Sequence, residues 1–279
     1  MEKTGNLGVV LPSDTFFSNE PFFQECIAGV CEMAVVLDYN VLVTTVKAND
    51  ITGIRRLVEK KSVDGIILTS HMEEDNAVQY LLEQNMQVGL TGSSDYEGIV
   101  QVDIDTEDAA ETLTSFLIGE GYQKFAIILD NLDYTVHKRR YNGFCNALEK
   151  NGLSKSEQVF ITDFLGKNML GAIVDDLIAR NVECVVCGDD IICAKVMTNL
   201  QAAGYRVPED IAVASLYNSA NLDYIVPPVT TVSMSAKRMG NMICKQMIQC
   251  LTGKEYQDRT KVDYEILVRK STSRLRKEK

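Results

Sequence analysis

One stretch, residues 182–232, limits what this chain can fold into more than any other. It reads VECVVCGDDIICAKVMTNLQAAGYRVPEDIAVASLYNSANLDYIVPPVTTV. Its first apolar run, at 184–187, is of the kind a strand shows when both of its faces are covered. Gly188-Asp189-Asp190 then turns the chain. Residues 191–203 carry apolar side chains at helical spacing, and the acidic pair before them suits the positive end of a helix. Gly204 stops that helix, and Val207-Pro208-Glu209-Asp210 leads into a second apolar run at 211–216. The result is a strand–helix–strand unit with polar residues where its strands end. In open parallel sheets, ligands sit in the crevice beyond those carboxyl ends. Asp189, Asp190, Tyr217 and Asn218 are therefore the first places to look for a site.

The pattern continues along the whole chain. Apolar strand runs at 7–11, 41–46, 65–68, 86–90 and 99–102 alternate with helical spacing at 22–36, 50–61 and 74–84. A second array follows, with helices at 107–119, 136–151 and 169–180 and strands at 125–129 and 158–162 before the Cys184 unit. Pro227-Pro228 can neither continue a helix nor sit in a central strand, so 218–228 is expected to be an exposed loop. A long helix at 234–251 carries Met239, Met242, Ile243, Met247 and Ile248 on one face, and a last strand is expected at 264–268. Strands alternating with helices give parallel sheets with right-handed crossovers. The expected fold class is α/β, with two Rossmann-like lobes and a cleft between them.

GDDIICAKVMTNLQAAGYRVPEDIAVASLYN followed by VPPVTTV resembles the effector-binding core of LacI/GalR-family transcription regulators. There the pattern is N-D-x-x-A, a helix, G-x-x-V-P-x-D-[IV]-x-V-x-G-[FY]-D, then P-P-[LV]-T-T-[VI]. Two departures bear on ligand chemistry. Leu216-Tyr217-Asn218 stands where the family has Phe-Asp-Asp, and Asp189 stands where it has Asn. The resemblance implies a periplasmic-binding-protein-like fold of type I whose lobes are joined by a three-strand hinge. By alignment the lobes are 5–102 with 235–260, and 103–232 with 263–270. It also implies a homodimer, for which the Met-rich face of 234–251 offers apolar surface, core burial of that stripe being the alternative. DNA would be gripped only through a head that, in the family, precedes the point where this chain begins.

Composition narrows the classes. The net charge is −11 at pH 7 and the sequence pI about 4.8, which argues against this polypeptide alone binding nucleic acid phosphates. No apolar run approaches the ~20 residues needed to span a bilayer. The eight cysteines lie in or beside apolar segments, and no export signal opens the chain, so reduced cysteines in the cytoplasm are expected. His71 and His137 lie at no metal-ligand spacing, so no metal is expected. Cys184-Val-Val-Cys187 matches C-x-x-C by letters only, because residues three apart on a strand face opposite sides. No phosphate loop or nucleophile elbow is present, and no cofactor is expected. Asp175/Asp176 read as a solvated helix face, and Asp105 or Thr106 as a helix cap. For Asp189/Asp190, capping and ligand contact are both open. An enzyme is not expected.

What remains is a binding cleft. Sugars have apolar faces and hydroxyl edges, so a site needs aromatic planes and a few charged or amide groups. Carried over residue by residue, the resemblance places Phe22, Phe23, Arg140, Phe164, Asp189, Tyr217 and Asn218 at the effector, with Asp14 and 18–19 as weaker candidates. Core packing is the alternative for Phe23, and an ion pair on its own helix for Arg140. A tyrosine at 217 can stack on a sugar while offering one hydroxyl, unlike the acceptor-only Asp of the family. The expected function is a small-molecule effector-binding and dimerisation module of a bacterial regulator, its effector a sugar or sugar derivative, acting by cleft closure. The alternative with the same fold is a sugar-binding protein serving an ABC transporter.

Overall fold

Alternation of wholly apolar runs with amphipathic helices gives two sheets covered on both faces. The structure is a computed structural model that describes residues 3–13, 20–47, 50–164 and 170–273. The first array runs β1 (Asn6–Pro12), α1 (Pro21–Val36), β2 (Asn40–Val46), α2 (Thr52–Glu59), β3 (Gly65–Leu68), α3 (Asn76–Glu83), β4 (Gln87–Thr91) and β5 (Val100–Asp103). The second runs α4 (Thr106–Gly119), β6 (Phe125–Ile128), α5 (Thr135–Lys150), β7 (Val159–Ile161), α6 (Leu170–Ala179), β8 (Cys184–Cys187), α7 (Asp190–Ala202), β9 (Ala212–Ser215) and β10 (Thr230–Ser233). The chain then adds α8 (Ala236–Leu251), β11 (Arg259–Lys261) and β12 (Glu265–Leu267).

The chain divides into two compact units, Met1–Ile104 with Ser235–Asp263 and Asp105–Met234 with Tyr264–Lys279, so the backbone passes from one to the other three times. The first unit holds a six-stranded sheet in the order β11-β5-β4-β3-β1-β2, all of its pairs parallel. The second holds β12-β10-β9-β8-β6-β7, parallel except where β12 runs against β10.

Side-chain period explains the layers. In the second sheet Ala126, Ile128, Val185, Cys187 and Val213 face Val174, Leu177, Ile192, Val196 and Leu200 of α6 and α7. Phe125, Ile127, Cys184, Val186, Ala212 and Ala214 face Leu113, Leu117, Phe144 and Leu148 of α4 and α5. Cys184 and Cys187 thus lie on opposite faces, as the strand period requires, and all eight cysteines are free thiols. In the first unit, Ile66, Leu68, Val88 and Leu90 pack against Ile54 of α2 and Val78 and Leu81 of α3. Asp105 caps α4 by accepting from the Asp108 N–H at 3.3 Å. Asp175 and Asp176 are exposed, the latter paired with Arg180 at 2.8 Å.

Two helix pairs cross with backbone against backbone. A Cβ on Gly29 of α1 would lie 2.0 Å from the Lys237 carbonyl oxygen of α8, and one on Gly240 of α8 would lie 2.0 Å from that of Cys26. In the second unit a Cβ on Gly143 of α5 would lie 2.1 Å from the Glu107 carbonyl oxygen of α4. Only glycine permits such an approach.

Two expectations need correction, and two strands were not anticipated. The apolar stripe of α8 is core: Met239, Ile243, Met247 and Ile248 are buried, and Met247 lies over Gly65 and Gly89. It is therefore not the surface on which self-association can be argued. Residues 218–228 are not uniformly exposed, because Ser219 and Leu222 are buried, the one bonded to Asp190 and the other in the core. Tyr224 and Val226 do stand out, at 90% and 72% exposure. Finally, β10 and β11 are strands that no apolar pattern announced. β11, with Arg259 and Lys261 exposed, is held by backbone pairing to β5.

Candidate functional site

The order of the second sheet locates its crevice. From β6 the chain goes to β7 at the edge, then returns to β8 on the other side of β6. The carboxyl ends of β6 and β8 therefore flank a topological switch point, where open α/β sheets bind ligands. Leu129-Asp130 leaves one strand there and Gly188-Asp189 the other. Gly188 donates its N–H to the Ile128 carbonyl at 2.7 Å, and a Cβ on it would meet Leu129 Cδ2 at 2.9 Å. That contact holds the two turns side by side.

The two carboxylate oxygens of Asp189 differ. Oδ1 accepts the Ile192 N–H at 2.8 Å, capping α7, while Oδ2 has no hydrogen-bond partner among the described residues although Asp189 is only 2% exposed. Of the two open readings of this residue, capping is what the structure shows. Asp190, fully buried, opens α7; its Oδ2 accepts from Ser219 Oγ and from Asn221 Nδ2 (2.9 Å), and its Oδ1 accepts from no donor among the described residues. Burial pushes the Asp189 carboxyl up to about 6, against the Ile192 N–H and the Arg140 guanidinium, which lower it; Asp190 and Asp130 raise it further. On α5, buried His137 is pushed down to about 3, by desolvation first and by Arg140 second, and stays a neutral imidazole.

After β9 the backbone is fixed by Ser215, whose Oγ donates to the Tyr217 carbonyl at 2.7 Å. Tyr217 is buried (3% exposed) and Asn218 half-buried. The Asn218 Oδ1 accepts from Thr231 Oγ1 at 3.1 Å and from Arg269 Nη1 at 2.9 Å, so this side chain is oriented by β10 and by the turn after β12.

Of the residues named from sequence, Arg140 and Asp189 are both buried, and the Arg140 charge lowers the Asp189 carboxyl. Tyr217 and Asn218 follow the strand next to β8. Phe164 packs in the core with Ile128, Val174 and Val196. Phe22 and Phe23 belong to the first unit, at the start of α1, as an edge-to-face pair with centroids 5.3 Å apart; Phe23 is buried and Phe22 half-buried. Asp14 and residues 18–19 lie outside the described residues. Asp130 and His137 were not singled out. Asp130 could have been found by the rule that picked Asp189, a carboxylate ending a buried strand, and His137 by its i, i+3 relation to Arg140. Among the described residues no group of three or more His, Cys, Asp or Glu is placed to hold a metal ion.

A family model described as a periplasmic binding protein-like domain matches residues 114–272, more than half of the chain. The chain belongs to that family. Among curated relatives, this periplasmic binding protein-like chain is similar to the HTH-type transcriptional regulator RegA of Clostridium saccharobutylicum, at 24% identity over 97% of this chain and 82% of that one. Among solved structures it is similar to a LacI family transcriptional regulator from Enterococcus faecium with bound ribose, with a TM-score of 0.85 at 20% identity, covering 97% of this chain and 100% of that one. A transcriptional regulator CelR–cellobiose complex superposes with a TM-score of 0.84 at 24% identity, covering 96% and 85%. At these identities the structural likenesses show the fold. The family match and the similarity to curated HTH-type regulators bear out the LacI/GalR resemblance read from the residues.

Proposed function

We propose that this protein is the effector-binding module of a LacI/GalR-like transcription regulator, and that its effector is a sugar or sugar derivative received at the carboxyl end of the second sheet. The carrying observation is the Asp189 carboxylate at the switch point between β6 and β8, where Oδ1 caps α7, Oδ2 accepts no hydrogen bond among the described residues, and the buried Arg140 guanidinium acts on it electrostatically. An acceptor oxygen beside a forked donor matches the edge of a polyol. The ribose-bound and cellobiose-bound neighbours support a ligand of that class. In this reading the ligand leaves unchanged, and its regulatory effect comes from binding two conformations of the module unequally. The module works in the cytoplasm and reaches DNA through a separate head domain. No helix among the described residues is long and apolar enough to cross a membrane.

A thermal-shift screen over sugars, amino sugars, sugar phosphates and nucleosides tests this. A ligand present at 100-fold its dissociation constant is expected to add about 2.7 kcal/mol of stability, and the gain should vanish in Arg140→Ala. A screen in which no sugar of any kind raises the midpoint would remove the reading.

Self-association belongs to the same proposal. Val35 and Val36, at the end of α1, are 78% and 74% exposed, and Val43 on the edge strand β2 is 52% exposed. An edge strand flanked by exposed valines is a surface that pairing with a second copy would cover. Sedimentation at micromolar concentration is expected to give twice the 31.0 kDa chain mass, and Val36→Asp to give the single chain. A single-chain species for the unaltered protein would be decisive against it.

A further inference from the structure

If the ligand is received at the carboxyl end of the second sheet, as proposed above, the orientation of Asn218 there decides what this side chain can offer it. Oδ1 accepts from Thr231 Oγ1 at 3.1 Å and from Arg269 Nη1 at 2.9 Å. A guanidinium has donors only, so the amide cannot be turned the other way round. An amide oxygen has two lone pairs, and both are taken. What remains is the NH2 group, and among the described residues Nδ2 donates to no acceptor.

The groups that orient the amide are themselves held. Arg269 donates its backbone N–H to Thr230 Oγ1 at 2.9 Å, and its Nη1 also donates to the Val229 carbonyl at 3.1 Å. Two residues on, Ser271 Oγ accepts the Thr230 N–H at 2.8 Å and donates to the Val213 carbonyl of β9 at 2.6 Å. The turn after β12 is thus stitched to β9 and β10. A donor held by such a shell loses little freedom when a ligand takes it up. Its place is at the crevice end: Tyr217-Asn218 leaves β9 and Gly188-Asp189 leaves β8, strands paired at Ser215 and Cys187. An aspartate of the same shape would keep the Arg269 bond but could only accept.

We propose that Asn218 is a specificity-determining residue of the effector site, donating through Nδ2 to an oxygen of the ligand. The ligand it selects is a polyol with an acceptor oxygen at the contacted position, and the corresponding deoxy compound is refused. Removing that oxygen leaves the amide donor without a partner where water has been displaced.

Isothermal titration of the full chain tests this with D-glucose, D-galactose, D-mannose, D-ribose, cellobiose and any further sugar that raises the midpoint in the screen above. For the tightest binder the monodeoxy derivatives are added. In the unaltered protein, loss of one particular hydroxyl should weaken binding about tenfold. Asn218→Asp keeps an oxygen for Thr231 and Arg269 and turns the offered donor into an acceptor. Its urea midpoint should equal or exceed the parent's, while the sugar binds about tenfold more weakly. In that variant, removal of the same hydroxyl should cost nothing further, a result that a merely structural Asn218 would not give. If Asn218→Asp does not fold, Asn218→Ala, which leaves Arg269 on the Val229 carbonyl, should show the same lost dependence on that hydroxyl. A variant that binds the sugar as tightly as the parent, or keeps its dependence on every hydroxyl, would overturn the role of Asn218 and leave the effector reading standing. If no sugar binds the unaltered protein, both fall.

Discussion

Asp189→Asn is expected to stabilise the protein by on the order of 2–3 kcal/mol at pH 8, and by little at pH 4. The Asp189 carboxyl titrates at about 6 in the fold, against an ordinary 3.8, because burial disfavours its charged form. A raised carboxyl value means that ionisation opposes folding. The penalty is absent below the unfolded value, grows between pH 3.8 and about 6, and is complete above. At about 1.36 kcal/mol per unit, that interval gives the magnitude. Asparagine has the shape of the protonated acid and can still cap the Ile192 N–H. Urea midpoints of both proteins at the two pH values measure it. Equal differences at pH 4 and pH 8 would mean that no buried charge is carried at this position. A charge kept where it weakens the fold is a mark of a site held for binding rather than for stability.

The second large effect is expected at a glycine. Gly240→Ala should destabilise by about 3 kcal/mol, since overpacking at a backbone contact cannot be relieved by rotating a side chain. Its Cβ would sit 2.0 Å from the Cys26 carbonyl oxygen and 3.0 Å from the Val30 nitrogen. Gly143→Ala should behave alike in the other unit. Gly119, the last residue of α4, is the control: an added Cβ meets nothing within 4 Å, so Gly119→Ala should be neutral or slightly stabilising. Denaturation midpoints for the three variants decide it. A Gly240→Ala protein as stable as the parent would mean that α1 and α8 can move apart freely.

The strands and helices that carry their own hydrophobic pattern were legible in the sequence. Cys184–Cys187 is buried at every position and is followed by a carboxylate that caps a helix, so one reading fitted both letters and structure. β10 and β11 were not legible. Thr230–Ser233 and Arg259–Lys261 owe their strand conformation to backbone pairing with neighbours distant in sequence, which leaves no period to read. The α8 stripe was legible as apolar but not as to what it covers, because glycines at 65 and 89 make room for Met247 from elsewhere in the chain. At the candidate site, the acidic residues ending β8 could be named from letters alone. That one oxygen of Asp189 caps a helix while the other, though buried, accepts no hydrogen bond among the described residues is geometry that no single segment encodes.

The return of α8 and β11 to the first unit has a consequence for how the protein is made. Gly29 meets Lys237, which leaves the ribosome 208 residues later (237 − 29), and Gln101 of β5 waits 158 residues (259 − 101) for Arg259 of its partner strand β11. Until then Gly65 and Gly89 present a bare apolar sheet face where Met247 will lie. The second unit, in turn, lacks its antiparallel edge strand until Glu265–Leu267 emerges. Neither half can be finished while the chain is still growing, so the usual order, in which an N-terminal domain folds before the next is synthesised, is closed to this protein. Its nascent form must carry an open sheet for most of translation, and that interval is when it is most in need of a chaperone.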